Sequence, residues 1–529
     1  MAAGRSRRHA IPASFCLATR LWIPVRSSTL HDSLGFRALF HHAHEIEDLA
    51  LPIPPAESAL WRLLAAITAR ITGLDDPDMP PSEWHQSRAA LLTATKGFAP
   101  ERIEAYFSAY VWDLFDTERP FLQDPALARQ CRKAAGVNAL ALGRPAGNNL
   151  AWFSPHTDTH PRPVPSEQAA WHLLIHHQYG RSGQCSARTV DGVTHTSLRA
   201  GPLRGTVSFH PRGRTLYESL LLHVPPYQGS GQLEPDLCPW EEPGPPRALA
   251  PPARVTWPGR LLTGRSRHAL LLVPSPDGNH VTDAHLTWAT PHRGLPATDP
   301  YVIVQTDPTK PAEERDTPRR ADADRATWRD LDALLLAGDE TTTVRRPAIF
   351  DSLNDLPEPV WQRLTVRVHG FDQEPKTKNR AWYTASTPPI WAWAQEHNPD
   401  MAQRIAECRI AAETLAAALA RALTRAWRET RTPNTTRAAR PDHNKERRRP
   451  LWTRQAMADY WPHAEAVFWD LVSHKPDSPA YPAFARQAVD SLRKVTAPAL
   501  AQHPGAGPAL ARAIATIRKT TAPRPKDPR

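Results

Sequence analysis

The sequence predicts an α+β protein, with a large mixed α/β N-terminal domain followed by a C-terminal antiparallel four-helix bundle. Short strand-like and helical patterns alternate up to about residue 395, and beyond residue 400 the chain becomes rich in alanine and leucine at helical spacing. The length of 529 residues also exceeds the roughly 250–300 residues that one hydrophobic core usually holds. We therefore expect two domains, residues 14–395 and 396–521, between basic tails at 1–13 and 522–529.

The first elements follow from local apolar patterns. Residues 44–67 predict a helix, a proline break and a second helix that ends at Gly73. Its apolar face carries Leu60, Leu63, Leu64, Ile67 and Ile71. Residues 111–123 read as a helix end, after which Pro120 stops the helix and Phe121 returns to the core.

The middle of the chain predicts strands separated by long connections. Residues 268–288 are typical of a hairpin around Asp277-Gly278-Asn279. Prolines crowd residues 225–258, which indicates an extended surface connection. A short strand is expected at 301–305, and the charged segment 306–323 lacks an apolar period, so we expect a long exposed loop there.

Four segments near the C-terminus have helical periodicity: 402–428, 453–472, 483–495 and 509–520. Pro462 is expected to kink the second of them. An antiparallel bundle is the simplest way to bury four apolar faces. The first connection, 430–450, is too basic and polar to belong to a core.

Charge and cysteine usage narrow the class of protein. A net charge of +11 and a pI near 9.6 favour polyanionic partners such as nucleic acid, although a generic basic surface gives the same balance. Five cysteines without a CxxC pair indicate neither a disulfide framework nor a cysteine zinc site, so a cytoplasmic location is expected. No run of eighteen apolar residues predicts a membrane span.

Two histidine clusters are candidates for metal binding. His41, His42, His44 and Glu45 form one cluster, and the segment 156–160 holds His156, Asp158 and His160. The HExxH pattern and a third ligand motif are missing, as are the nucleophile-elbow, phosphate-loop and dinucleotide motifs. We expect no metal, no cofactor and no catalytic residue, while a metal-dependent nuclease stays open as an alternative.

Several segments in their order along the chain resemble one family. Residues 44–67 and 111–123 are the strongest matches. Residues 21–25 resemble the opening strand of that family, 201–224 its strand, Arg-Gly turn and helix, and 456–471 the aromatic helix of its C-terminal bundle, all in the expected order. Together they resemble the large subunit (CasA) of the type I-E CRISPR Cascade surveillance complex. The resemblance implies a non-catalytic subunit for antiviral defence that recognises the short duplex motif (PAM) in target DNA and helps to open the duplex.

The resemblance also implies partners. These are guide RNA, double-stranded target DNA, the backbone and small subunits of Cascade, and a helicase-nuclease that the subunit helps to recruit. The C-terminal bundle would contact the small subunits and help to position the helicase-nuclease, and no membrane is involved. A nonspecific basic DNA-binding protein is the remaining alternative, which predicts salt-sensitive binding indifferent to any duplex motif.

An aromatic segment at 149–155 is the predicted guide RNA contact. In the family, a loop at this place docks against the 5′ handle of the guide, and its residues align with Trp152, Phe153 and Ser154. Aromatic faces stack on unpaired bases, which makes the chemistry suitable. The alternative is a hydrophobic anchor that pins the loop.

A short glycine-containing segment aligns with the family's minor-groove loop. Its residues are Gly180, Arg181, Ser182 and Gly183, directly after a predicted helix at 168–178. Glycine permits close approach of the backbone, and arginine prefers narrow minor grooves. A simple helix stop at Gly180 is the alternative.

A hairpin predicted at 366–379 aligns with the family's duplex-opening wedge. The alignment puts Asp372, Gln373 and Glu374 at its tip. Since acidic residues are unfavourable beside DNA, either Lys376 and Lys378 supply the contact or the alignment slips by a residue or two. Lys310, in the 306–323 segment, is the candidate for the family's groove-reading lysine.

Overall fold

The computed structural model describes residues 13–94, 96–146, 154–157, 159–226, 234–292, 299–338, 343–353, 355–374, 378–431, 449–475, 477–502 and 504–521. The chain divides into two compact units. The first, called the mixed unit, comprises 1–327 and 337–392, and the second, called the helical unit, comprises 328–336 and 393–529. The predicted domain 14–395 includes 328–336, a short segment that instead belongs to the helical unit.

The α-helices of the described residues are α1 (Phe36–His41), α2 (Pro54–Thr72), α3 (Pro81–Ala94), α4 (Pro100–Ala109), α5 (Leu127–Gln130), α6 (Val137–Leu140), α7 (Ser166–Tyr179), α8 (Leu216–Leu222), α9 (Gly259–Thr263), α10 (Ala312–Arg315), α11 (Leu331–Leu335), α12 (Glu358–Trp361), α13 (Pro399–Arg431), α14 (Leu451–Ser473), α15 (Ala480–Gln502) and α16 (Gly507–Arg518). Short 3₁₀ turns are found at Thr327–Asp330, Ala348–Ser352, Trp391–Trp393 and Pro504–Ala506. Of the described helices, none is long and apolar enough to cross a membrane.

The strands are β1 (Ile23–Arg26), β2 (Ser33–Leu34), β3 (Asp48–Leu49), β4 (Val164–Pro165), β5 (Gly183–Val190), β6 (Val193–Leu198), β7 (Val207–Arg212), β8 (His268–Pro274), β9 (His280–Trp288), β10 (Val304–Thr306), β11 (Asp316–Pro318), β12 (Val344–Arg345), β13 (Thr365–Gln373) and β14 (Asn379–Ser386). They form small antiparallel sheets in the orders β2-β1-β3, β11-β10-β12, β14-β13-β7, β4-β9-β8 and β5-β6. With helices in both units, this confirms the α+β prediction.

Helix α2 lies at the centre of the mixed unit. It begins with two prolines and ends at Gly73, whose φ of 78° is the left-handed helix cap that the sequence predicted. The prediction of one apolar face was too narrow, because α7, α8, α9 and β13 surround the helix. Even Arg62 is fully buried, and its Nε and Nη2 donate to the Asp299 carboxylate at 2.7 and 2.8 Å.

Two predictions about connecting segments were wrong. Helix α4 ends at Ala109, so the 111–118 stretch is not helical; Phe121 nevertheless packs in the core, 5.4 Å from the ring of Trp112. The proline-rich segment is not confined to the surface either, because its Trp240 is buried 5.6 Å from Phe121. Burial of Trp240, which local pattern does not reveal, brings part of the proline-rich segment into the core.

The predicted hairpin at 268–288 is confirmed as β8 and β9, and Gly278 has a φ of 70° at the turn. The 306–323 segment is not a simple loop. It contains α10 and β11, and β11 pairs with β10 through Val304 and Pro318. Strand β11 stays largely exposed, which explains why the segment carries no apolar period.

Four long helices make up most of the helical unit. Helices α13 to α16 pack on one another, with α13 in contact with the other three. Tyr460 on α14 donates to the Ala412 carbonyl on α13 at 2.9 Å. The short connection between α14 and α15 requires these two neighbours to be antiparallel. Arg409 on α13 also donates to Asp332 on α11 at 2.6 Å, which holds the 328–336 segment on the bundle.

Candidate nucleic-acid interface

The β13–β14 hairpin is present but its tip is shifted from the prediction. The strands pair from Arg367 opposite Ser386 to Gln373 opposite Asn379, with an irregularity between Asp372 and Gln373. The Glu374 N–H donates to the Lys378 carbonyl at 2.9 Å and closes the turn. Asp372 and Gln373 are therefore strand residues. Their predicted place at the tip was wrong, because strand pairing continues past the irregularity as far as Gln373.

Gln373 anchors the hairpin instead of projecting from it. Only 3% of its surface is exposed. Its Oε1 accepts from the Gly205 N–H at 3.0 Å, and its Nε2 donates to the Tyr179 carbonyl at 3.2 Å and to the Asn379 Oδ1 at 2.8 Å. An amide with its hydrogen-bonding groups engaged in this way is committed to the fold.

Two arginines donate hydrogen bonds to the main chain at the base of the turn. Arg204, which is buried, donates from Nε to the Glu374 carbonyl at 3.1 Å and from Nη2 to the Lys378 carbonyl at 3.4 Å. Arg320 donates from Nη2 to the Gln373 carbonyl at 2.7 Å and from Nη1 to the Arg204 carbonyl at 3.0 Å. We call Arg204, Arg320 and Gln373 the hairpin clamp.

Gly205 makes room for the clamp. Its φ is +69°, and a Cβ at this position would lie 2.4 Å from the Arg320 Nη2. The acceptors in these contacts are main-chain carbonyls, which carry no formal charge. Burial, together with the positive charges of Arg320 and Arg181, lowers the pKa of Arg204 to about 10.

The 180–183 segment lies directly beside this clamp. The Tyr179 carbonyl accepts from both Arg204, at 3.1 Å, and Gln373, and Gly180 follows as the cap of α7. Two of the predicted DNA-contacting elements, far apart in sequence, are thus joined through one residue.

Within that segment, the two glycines have different roles. A Cβ on Gly180 would lie 2.6 Å from the ring of His268, so Gly180 is both the helix stop and a close packing contact. Gly183 has a φ of +113° and faces open space at the start of β5. Arg181 donates to the Gln184 carbonyl at 2.8 Å, and Ser182 is half-buried.

Two buried histidines, His176 and His268, lie next to Gly180. His268 bonds to the Arg181 carbonyl at 2.9 Å through Nε2, and His176 bonds to the Leu140 carbonyl at 2.8 Å. Burial lowers the pKa of His268 to about 3 and that of His176 to about 4. Both rings are therefore neutral at physiological pH.

One exposed face of the hairpin combines an aromatic ring with cations. Trp382 is 40% exposed and meets Phe371 edge to face, with ring centroids 5.9 Å apart. An edge-to-face contact covers at most one face of the indole. Lys378 is exposed nearby in sequence, and Arg380 lies 3.9 Å from the carboxylates of both Asp372 and Glu374, which offsets their charge.

Other predicted contacts lie elsewhere or beyond the described residues. Lys310 is in the β10–β11 connection, 3.9 Å from Asp307, while Arg320 is the residue of the 306–323 segment that forms the clamp. Lys376, Trp152 and Phe153 lie outside the described residues. Ser154 is described, and its Oγ accepts from the His156 N–H at 3.2 Å.

The histidine clusters are engaged with nearby carboxylates and hydroxyls. His41 bonds to Glu104 at 2.8 Å, His44 lies 3.4 Å from Glu45, and His160 lies 3.3 Å from the Thr159 hydroxyl. Asp158 lies outside the described residues. In the described ranges, no group of three histidine, cysteine or acidic side chains is placed to hold a metal ion.

Sequence reasoning missed Arg204, Arg320 and Trp382. The one local signal was the Arg204-Gly205 pair, since a glycine after an arginine allows a backbone turn against a bulky neighbour.

Known proteins are similar to this chain along most of its length. The model of the family described as CRISPR-associated protein Cse1 matches residues 17–498. The chain belongs to the Cse1 family. Among Cse1 relatives, a curated CasA/Cse1 protein of Thermus thermophilus is 28% identical over 370 residues, which is 67% of each chain.

Solved structures agree with this assignment. A chain of a CRISPR RNA-guided surveillance complex is 39% identical, with a TM-score of 0.85 over 96% of this chain and all of that one. Cse1 of Thermobifida fusca is 19% identical with a TM-score of 0.73, over 96% of this chain and 98% of that one, a likeness that concerns the fold alone.

Proposed function

We propose that this chain is the large, non-catalytic subunit of a type I-E CRISPR surveillance complex, and that it recognises the PAM in target DNA and helps to open the duplex. Membership of the Cse1 family supports this, as does the 39% identical chain found in a CRISPR RNA-guided surveillance complex. The observation that carries the proposal is the hairpin clamp beside the 180–183 segment.

The clamp suits the hairpin to act as a wedge. An element that separates base pairs must resist being pushed aside, and a lone two-stranded hairpin is marginally stable. Arg204 and Arg320 tie the main chain of the turn to the rest of the mixed unit. The turn is thus held at its base, while Trp382 presents an aromatic surface on which an unpaired base can stack.

Recognition of the PAM falls to the neighbouring 180–183 segment. Gly183 faces open space, so a minor groove can approach its backbone closely, and Arg181 supplies positive charge. Minor-groove contacts distinguish few sequences. Guide RNA then reads the remaining target by base pairing, an exchange of duplexes that costs little free energy.

The remaining partners complete the proposal. Trp152, Phe153 and Ser154 would contact the 5′ handle of the guide RNA by stacking and polar contacts. The helical unit would contact the small subunits and help to recruit the helicase-nuclease. The backbone subunits would hold the guide RNA.

Arg320→Gln tests the wedge in an assembled complex containing guide RNA and all subunits. Losing the two donors that Arg320 directs at carbonyls costs about 1–3 kcal/mol of hairpin anchoring, so binding of PAM-containing duplex should fall about tenfold. Arg214→Gln, on an exposed turn, is the matched control and should bind normally.

Binding of single-stranded target distinguishes a defect in duplex opening from a defect in assembly of the complex. Single-stranded target needs no melting, so its binding should stay within about twofold of wild type in the Arg320 variant. Equal losses on single-stranded and double-stranded target would contradict a wedge. Binding by the wild-type complex that ignores the PAM would instead favour nonspecific DNA binding, and cleavage by the isolated chain with added metal would favour a nuclease.

A further inference from the structure

One cavity of the mixed unit is lined by several arginines. It has a volume of about 480 Å³ and lies between residues 252–255, residues 264–267 and the outer strand β11. We call it the arginine cavity, after its four lining arginines: Arg254, Arg260, Arg265 and Arg267. The hairpin clamp does not contribute to its lining.

The acidic groups of the cavity are already paired. The Asp299 carboxylate accepts from Arg62 at 2.7 Å and from Arg265 at 3.2 Å. Asp316 accepts from Arg345 and from the Thr306 hydroxyl. Both carboxylates are therefore committed to partners other than Arg254 and Arg267.

Arg260 is paired as well, with Glu234 at 3.1 Å and Glu242 at 2.9 Å. This leaves Arg254 and Arg267 as the cavity arginines that have no ion-pair partner among the described residues. Arg254 is exposed, and Arg267 is half-buried. The cavity thus carries two uncompensated positive charges.

Arg267 is electrostatically unfavourable as it stands. Burial and the nearby charge of Arg199 both lower its pKa. A half-buried cation beside a like charge costs free energy that a bound anion would offset. A guanidinium also presents paired donors that match the oxygens of a phosphate.

We propose that the arginine cavity is a phosphate-binding site in which Arg254 and Arg267 bind the anion and Arg199 reinforces the positive potential. Its volume lies in the range of ligand-sized sites, which suits a phosphate carried on a larger group. The phosphate belongs either to a nucleic-acid backbone or to a free phosphate compound. This proposal stands apart from the wedge function and does not need it.

The purified full-length chain can test the site with inorganic pyrophosphate and with a short DNA duplex. Thermal unfolding is measured over a pyrophosphate titration, and duplex affinity over a salt series. Arg267→Gln and Arg254→Gln are compared with wild type, and Arg214→Gln serves as an exposed arginine control.

A rise in wild-type Tm with pyrophosphate that the Arg267 variant loses assigns a free phosphate to the cavity. A roughly fivefold loss of duplex affinity in the Arg267 variant, with the salt slope reduced by about one, assigns a backbone phosphate. If the variant matches wild type in both assays, the proposal is overturned.

Unfolding without ligand distinguishes binding from a structural role. Removing an uncompensated cation should leave the Tm of the Arg267 variant equal to or above that of wild type. A clearly lower Tm without ligand would mean that Arg267 holds the fold together, and would also overturn the proposal.

Discussion

Arg62 and Arg204 are both buried arginines of the mixed unit, but their hydrogen-bond acceptors differ in charge and their pKa values are shifted in opposite directions. Arg62 donates to the carboxylate of Asp299, which raises its pKa. Arg204 donates to main-chain carbonyls, and burial together with two further arginines lowers its pKa to about 10. Carbonyls satisfy hydrogen bonds without cancelling charge. The charge of Arg62 is therefore neutralised by its partner, whereas the charge of Arg204 gives a positive potential beside the hairpin turn.

The largest expected effect comes from removing the carboxylate that pairs with the buried Arg62. Asp299→Leu removes the carboxylate that pairs with both Arg62 and Arg265. We expect a loss of about 3–5 kcal/mol in the free energy of unfolding, measured by denaturant titration. Asp490→Asn, whose partner Arg493 is 3.9 Å away on the surface, is the control and should change stability by less than about 0.5 kcal/mol. Similar losses in both variants would contradict the comparison.

The second largest expected effect is a loss of folding stability at acidic pH, caused by the buried His223. His223 is fully buried, and burial lowers its pKa to about 3. The unfolded chain takes up this proton near pH 6.5 and the folded chain does not, so stability is complete above about pH 6.5 and falls as the pH is lowered toward 3. At pH 5 the loss from His223 alone should be about 2 kcal/mol.

Other buried histidines with a lowered pKa, such as His176 and His268, add losses of their own, so the part due to His223 is the difference between wild type and His223→Gln, each titrated with denaturant at about pH 7.5 and about pH 5. Constant stability across this range would show that the buried rings are not held neutral.

Removing the charge of Arg204 should have a smaller effect on stability and a clear one on DNA binding. Arg204→Met loses donors to the carbonyls of Tyr179, Glu374 and Lys378, which are uncharged acceptors. We expect about 1–3 kcal/mol of destabilisation. Duplex affinity of the assembled complex should fall, with a weaker dependence on salt. An unchanged salt dependence would mean that the field of Arg204 does not reach the DNA.

The smallest expected change in stability is at Trp382. Because the side chain is 40% exposed, Trp382→Ala should cost about 1 kcal/mol or less. Stacking on a base is worth about 1–3 kcal/mol, so duplex opening, followed with a fluorescent base analogue beside the PAM, should slow markedly. Trp382→Phe should restore most of the rate. If alanine and phenylalanine behave alike, stacking has no part in opening.

Local periodicity was enough to find most of the elements around the site. Alternating Val366 and Val368 predicted β13, and Gly73 predicted where α2 stops. A stop of α7 at Gly180 was the alternative to a minor-groove loop at 180–183, and Gly180 is the cap of that helix. Such signals come from residues that are only a few positions apart, so they can be recognised in a single sequence.

The clamp could not be predicted in the same way. Gln373 is fixed by Gly205 and Tyr179, which lie 168 and 194 residues away in sequence. In a chain with 65 lysines and arginines, nothing local marks Arg204 or Arg320 as the two that hold the turn. The irregularity between Asp372 and Gln373 likewise accompanies these distant contacts, so the predicted tip was displaced.

The clamp has an evolutionary consequence. Arg204 and Arg320 bind the carbonyl oxygens of Gln373, Glu374 and Lys378, atoms that every amino acid possesses. The side chains of Glu374 and Lys378 can therefore vary without loss of the hydrogen bonds that hold the turn. A turn transplanted from a distant homologue should present its own carbonyl oxygens to the same two donors, Arg204 and Arg320.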